Sequence, residues 1–226
     1  MKLCRNIILS MFCYLVGLQA SDWIDMGEAR PTNPEWDVNP ISDNHVEITF
    51  KMNGYHHTIL DNQMSRLSFP GGVPLLDEGS PNLPRMARSI IIPDIANMVL
   101  TIVDTEHIDL ELENVEPSKG NLTREIDPST VPYVYGKAYT IDEFYPAEIT
   151  FLRDPYILRT LRGQTVIFQP IQYNPIRKTL RVYSHIKISI QQDGNSTVNP
   201  LTRRPDQYSS REFENMYRYH FINYPE

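Results

Sequence analysis

Residues 165–191 read TVIFQPIQYNPIRKTLRVYSHIKISIQ, and this stretch decides the fold. Val166, Phe168 and Ile171 mark its first half; Leu180, Val182, Ile186, Ile188 and Ile190 recur at even spacing in its second. Side chains two apart share one face of a strand. Two strands are therefore predicted, Thr165–Tyr173 and Thr179–Gln191, with Asn174-Pro175-Ile176-Arg177-Lys178 as the hairpin loop between them. Pro170 has no N–H to give to a ladder, which confines it to an edge or a bulge. Gly163, just upstream, permits a sharp turn into the first strand.

The same patterning extends toward the N-terminus. His45–Met52 alternates apolar and polar residues, and Asn53-Gly54 is a two-residue hairpin signal, with Tyr55–Leu60 as the return strand. Ile90-Ile91-Ile92 before Pro93 suits a buried strand. Val99–Val103 and His107–Leu112 are predicted as a pair of strands, Ile149–Leu152 and Tyr156–Leu161 as short ones. Glu113–Pro132 is polar, holds three prolines and reads as a long exposed loop. Ser209-Ser210-Arg211-Glu212 resembles a capping box, and Phe213, Met216, Tyr217 and His220 follow at helical spacing. The expected fold is all-β, an antiparallel sandwich or barrel with a short C-terminal helix.

A chain of 226 residues with 41% hydrophobic content suits one domain whose core needs neither metal nor disulfide. The first twenty residues stand apart. Lys2 and Arg5 precede the uncharged apolar run Ile7–Leu18, and Leu18-Gln19-Ala20 leads into Ser21-Asp22. This pattern predicts a secretory signal peptide over 1–20, cleaved after Ala20; the run is too short to span a bilayer, and no later one approaches a membrane span. The two cysteines, Cys4 and Cys13, both fall inside it. The exported chain would carry no thiol nucleophile, disulfide or thiolate metal site, so it is not expected to be a cysteine peptidase by itself. The formal charge of −7 becomes still more acidic once Lys2 and Arg5 are lost, which disfavours nucleic acid and anionic membranes as partners. The expected organisation is 1–20 signal peptide, 21–43 exposed lead-in, 44–195 β-domain, and 196–226 linker with a short helix.

No catalytic constellation stands out. His56-His57 would face opposite sides of a strand, and the other histidines are isolated. No Gly-x-Ser-x-Gly element occurs, and Gly79-Ser80-Pro81 lies in a proline-rich loop. Asp109, Glu111 and Glu113 alternate and would suit at most a weak calcium site; a solvated face is the simpler reading, and no cofactor is expected. Asn121-Leu122-Thr123 and Asn195-Ser196-Thr197 fit the glycosylation pattern.

Two segments go beyond generic β patterning. One is Glu78-Gly79-Ser80-Pro81-Asn82-Leu83-Pro84, followed by Ile90-Ile91-Ile92-Pro93. The other is Leu161-Arg162-Gly163-Gln164-Thr165-Val166, then Pro170-Ile171-Gln172-Tyr173-Asn174-Pro175, then Leu180-Arg181-Val182-Tyr183, with Tyr145-Pro146 upstream. Together they resemble the pro-regions of gingipain-type cysteine peptidases. The resemblance implies a jelly-roll β-sandwich over 44–195 that assists folding of a gingipain-like catalytic domain, in cis or in trans, and keeps it latent. A full precursor would continue past Glu226 into that domain. The resemblance also implies secretion to the periplasm or beyond, and an inhibitory basic residue on an exposed loop, with Arg124, Lys119 and Lys137 as candidates and Arg124 first. Arg203 and Arg204 are the candidate processing sites, with Arg211 and Arg218 as rivals. The competing reading is a free-standing cell-surface or glycan-binding sandwich module, for which Trp23 and Trp36 would supply an aromatic platform.

Overall fold

The computed structural model describes residues 21–202 and 210–225. The expected signal peptide with its cut after Ala20, and the processing candidates Arg203 and Arg204, lie outside the described residues. Within them the strands are β1 (Ser21–Asp25), β2 (Glu35–Ser42), β3 (His45–Lys51), β4 (Gly54–Ile59), β5 (Ser65–Ser68), β6 (Val73–Pro74), β7 (Pro84–Ile91), β8 (Ala96–Glu111), β9 (Thr150–Leu152), β10 (Tyr156–Leu158), β11 (Leu161–Phe168), β12 (Ile171–Asn174) and β13 (Thr179–Asn195), followed by helix α1 (Arg211–His220).

Strand β13 is the spine of the first sheet. One edge pairs with β8 along its length; the other pairs with β12 and then with β3, which in turn carries β2. Leu180, Val182, Ile186, Ile188 and Ile190 are all buried, as their even spacing requires. Strand β11 is the spine of the second sheet in the same manner, with β7 and β6 on one side and β10 and β9 on the other. β1, β4 and β5 form a third, smaller sheet. All pairings between these strands are antiparallel, and the sheets do not close into a barrel. Between the two large sheets Phe50 and Phe168 stack at 5.3 Å, and Trp36 meets each ring at 5.1 Å. Truncating a buried aromatic of this kind costs about 3–5 kcal/mol.

Several local expectations change. Asn53-Gly54 does not close a hairpin: β3 and β4 belong to different sheets, and the dipeptide turns the chain from one to the other. The Asn53 carbonyl accepts from the amides of Met26 and Glu28 at 3.0 and 3.3 Å, which anchors the corner. The expected pair Val99–Val103 and His107–Leu112 is one continuous strand, β8, because β13 offers a ladder long enough for both. Thr165–Tyr173 is two strands: Gln169-Pro170 interrupts it, and the chain passes from the second sheet to the first there. The Asn174–Lys178 hairpin forms as expected, with Ile171 opposite Val182.

The segment 21–43, expected as an exposed lead-in, contributes two outer strands. β1 lies on β4 and β2 on β3, so its backbone is paired while most of its side chains stay exposed.

The segment 196–226 is likewise more than a linker. Arg162 is fully buried and donates to the carbonyls of Pro93, Ala96, Val198 and Asn199 at 2.7–2.9 Å, pinning the tail to β11. Ser210 caps α1 without a side-chain capping bond; Ser209, the first residue of the expected box, lies outside the described residues. Beyond the helix, Asn223 exchanges two hydrogen bonds with the Ile91 backbone at 2.7 and 3.0 Å, capping the outer side of β7.

Gly163 explains why a side chain is missing where the tail docks. A Cβ there would fall 2.6 Å from the Phe221 ring and 2.9 Å from Tyr156.

Candidate functional site

Glu113–Pro132, expected to be exposed throughout, has a buried root. Val115, Glu116, Pro117 and Ser118 are all buried. They lie against Ser65 and against the Glu78–Pro84 segment. Ser65 accepts from the Glu116 amide at 3.0 Å, and the Asn82 amide donates to the Glu116 carbonyl at 2.9 Å. Ser118 donates to Ser80 and accepts from Gly79 at 2.8 and 2.9 Å. The Gly79 carbonyl in turn accepts from the Gly136 amide at 2.8 Å, so the segment holds both limbs of the loop. A Cβ on Gly136 would come 2.9 Å from that carbonyl, closer than such contacts allow.

The Glu116 carboxylate, 1% exposed, is the hub. Arg66 grips it through Nε and Nη2, Asn82 Nδ2 donates to it at 2.9 Å, and the Tyr133 hydroxyl at 2.8 Å. Burial by itself would raise this carboxyl. The bonds from Arg66, Tyr133 and Asn82 together outweigh burial and hold it below the usual carboxylate range. Arg66 is pushed up chiefly by its bond to Glu116; Tyr133 is pushed up first by burial and then by Glu116.

The base of the loop is clasped by β12. The Tyr173 hydroxyl donates to the carbonyls of Leu112 and Glu113 at 3.2 and 3.0 Å, and the Tyr173 backbone exchanges bonds with Tyr145 at 2.8 and 3.0 Å. Asn174 Nδ2 reaches Asp142 at 2.8 Å. Burial first, and then Glu113, pushes the Tyr173 phenol up to about 12, so it stays a donor at neutral pH.

The three basic candidates are placed very differently. Lys119 is half-buried; its ammonium donates to the Pro128 carbonyl at 2.7 Å and lies 4.2 Å from the centre of the Tyr133 ring. Lys137 is exposed at the start of a short 3-10 turn. Arg124 stands at the tip. The Ile126 amide donates to the Thr123 carbonyl at 3.1 Å, forming a turn with Arg124 and Glu125 at its apex. Arg124 is exposed and makes no hydrogen bond or ion pair among the described residues. Arg211 and Arg218 are exposed on α1.

Asp109 and Glu113, two of the carboxylates considered as a calcium site, are engaged by basic residues of β13 and its hairpin. Arg181 holds Asp109 through two contacts of 2.7 Å, and Lys178 pairs with Glu113. Among the described residues no group of three or more His, Cys, Asp or Glu is placed to hold a metal ion. Trp23 and Trp36 do not share a face: Trp23 meets His56 on β4 and Trp36 packs on Phe50 and Phe168. No helix among the described residues is long and apolar enough to cross a membrane.

The hub itself was not legible in the sequence. Glu116 reads as one more carboxylate in a polar stretch, and its partners stand 17, 34 and 50 positions away. The signal that pointed there was indirect: both motif segments turn out to be the pieces that hold the loop.

Known proteins share this fold. Gingipain R1 of Porphyromonas gingivalis is 36% identical over 182 residues, which covers 79% of this chain and 18% of that protein. The chain thus spans about a fifth of the length of that relative. Among solved structures, the complex of Porphyromonas gingivalis RgpB pro- and mature domains matches with a TM-score of 0.74 and 31% identity, over 86% of this chain and 100% of the matched one. A structure described as giving insight into zymogenic latency of gingipain K from Porphyromonas gingivalis shares the fold, with a TM-score of 0.65 at 23% identity, over 77% of this chain and 100% of that one. The Propeptide_C25 family model matches residues 29–224, and the chain belongs to that family.

Proposed function

We propose that this chain is the pro-region of a gingipain-like cysteine endopeptidase, that it binds the catalytic domain and assists its folding, and that it keeps the enzyme latent by offering Arg124 to an acidic specificity pocket. It acts without catalysis of its own. The signal-like segment 1–20 directs it out of the cytoplasm, and both cysteines leave with that segment.

The placement of Arg124 carries this reading. A cation at a turn apex, unpaired among the described residues and held on a loop braced at its root, is a ligand awaiting an anionic partner. Preorganisation of this kind lowers the ordering cost of binding. Lys119 supports the loop from within, and its ammonium is already engaged.

The test is to add the purified chain to the catalytic domain of an arginine-specific gingipain and follow cleavage of a small arginyl substrate. Inhibition at or below about micromolar concentration is expected for an interface of ordinary size. Unchanged cleavage with a properly folded chain would refute the reading.

A further inference from the structure

We infer that Glu116 and Tyr133 are positioning residues that keep the Arg124–Glu125 peptide bond uncut while Arg124 sits in a peptidase pocket. The inference rests on the pro-region reading above and adds to it a reason why the loop acts as an inhibitor rather than as a substrate.

A pro-region that presents arginine to an arginine-specific peptidase faces an evident hazard, because it offers the enzyme its preferred cleavage site. Extended peptides dock by adding a strand to a groove. The backbone at Arg124 is not extended: the bond from Ile126 to Thr123 closes it into a turn. Misplacing reacting atoms by about 1 Å can cost on the order of 100-fold in rate. The turn therefore protects the bond for as long as the loop cannot unroll.

What prevents unrolling is a set of ties between the limb before Arg124 and the limb after it. Glu116 accepts from Tyr133 at 2.8 Å, and Lys119 donates to Pro128 at 2.7 Å. Further down, Ser118 and Gly136 meet on Gly79. Glu116 is the inner tie because Arg66 and Asn82 fix it to the sandwich, so Tyr133 is bound to the body and not merely to a neighbouring loop residue. The Lys119 ammonium lies over the Tyr133 ring, 4.2 Å from its centre, so the two ties support one another.

Severing these ties would let residues 119–133 extend into the cleft. The peptidase would then hydrolyse the Arg124–Glu125 bond, consuming one water and leaving a carboxylate on Arg124 and an amine on Glu125. The inhibitor would become a slowly consumed substrate.

The experiment compares the chain with its Glu116→Gln, Tyr133→Phe, Lys119→Met and Arg124→Ala variants, each mixed with the catalytic domain of an arginine-specific gingipain. Mass spectrometry reports the new amine at Glu125, and residual peptidase activity is followed over hours. Melting curves identify any variant that fails to fold; Tyr133→Phe and Lys119→Met alter partly exposed side chains and remain informative if Glu116→Gln unfolds. The expected result is cutting at Arg124–Glu125 at least about tenfold faster in folded Tyr133→Phe and Lys119→Met, with inhibition that decays as the cut product accumulates. If these folded variants stay as uncut as the parent chain, the inference is overturned while the pro-region reading stands. If Arg124→Ala inhibits as well as the parent, the reading of Arg124 falls and the inference falls with it.

Discussion

The Tyr133 hydroxyl donates to the Glu116 carboxylate at 2.8 Å, and that bond ties the two limbs of the Arg124 loop to each other and to the sandwich. Removing it with Tyr133→Phe leaves a buried carboxylate one donor short. A lost bond to a charged group costs about 1.5–3 kcal/mol. The expected outcome is a global stability loss at or below that range, with amide exchange accelerating in residues 115–136 and not in β13. Urea denaturation and hydrogen exchange check the two parts separately.

The same hub sets a pH dependence. The folded Glu116 carboxyl lies below its unfolded value, so the stability it contributes is full above the ordinary carboxylate range and is lost as pH falls through the folded value. The loop is expected to loosen on acidification while the β-sheets persist. Exchange rates in residues 115–136 should rise toward acid, after correction for intrinsic exchange, and Glu116→Gln should flatten that rise.

Much of the sandwich was legible in the sequence because its central strands are buried on an alternating face. Leu180 to Ile190 announces both a strand and the side that faces inward. The misread elements share one cause: local signals do not name a partner. Asn53-Gly54 has the chemistry of a hairpin, but whether the next strand returns to β3 or leaves for another sheet depends on β1, β5 and β13. β8 looks like two strands because Asp104 and Glu106 interrupt its apolar run; an edge strand tolerates them, and β13 supplies the ladder. Arg124 was proposed from family resemblance alone. Nothing near it in sequence distinguishes it from Lys119, whereas the fold does so through the bond from Lys119 to Pro128.

Arg162 gives a second stability test. Arg162→Met keeps much of the side-chain bulk and removes the donor shared by the carbonyls of Pro93, Ala96, Val198 and Asn199, of which Pro93 keeps the Ala96 amide at 3.3 Å. An unsatisfied buried acceptor costs about 1–3 kcal/mol before relaxation, and here the bond to Ala96 is buried while the other three are part-buried. A loss of about 1–3 kcal/mol is expected on that scale, together with earlier proteolysis near residues 196–202. Denaturant titration and limited proteolysis report both.

Gly163→Ala addresses the docked tail. The added methyl would press on Phe221 and Tyr156, so the end of α1 must move away from β11. Faster proteolysis within residues 210–225 is expected, with Glu116 and its loop unaffected. Equal protease resistance in the variant and the parent chain would show that the tail accommodates the methyl.

Arg124, and not another basic residue of the loop, is the proposed contact with the peptidase. The most direct measurement is the inhibition constant of Arg124→Ala and Lys137→Ala chains, each shown to be folded, against the catalytic domain of an arginine-specific gingipain. Removing a buried charged anchor commonly costs 2 kcal/mol or more, so a loss of at least about 30-fold is expected for Arg124→Ala and little change for Lys137→Ala. Parent-like inhibition by Arg124→Ala, or a loss confined to Lys137→Ala, would contradict the account.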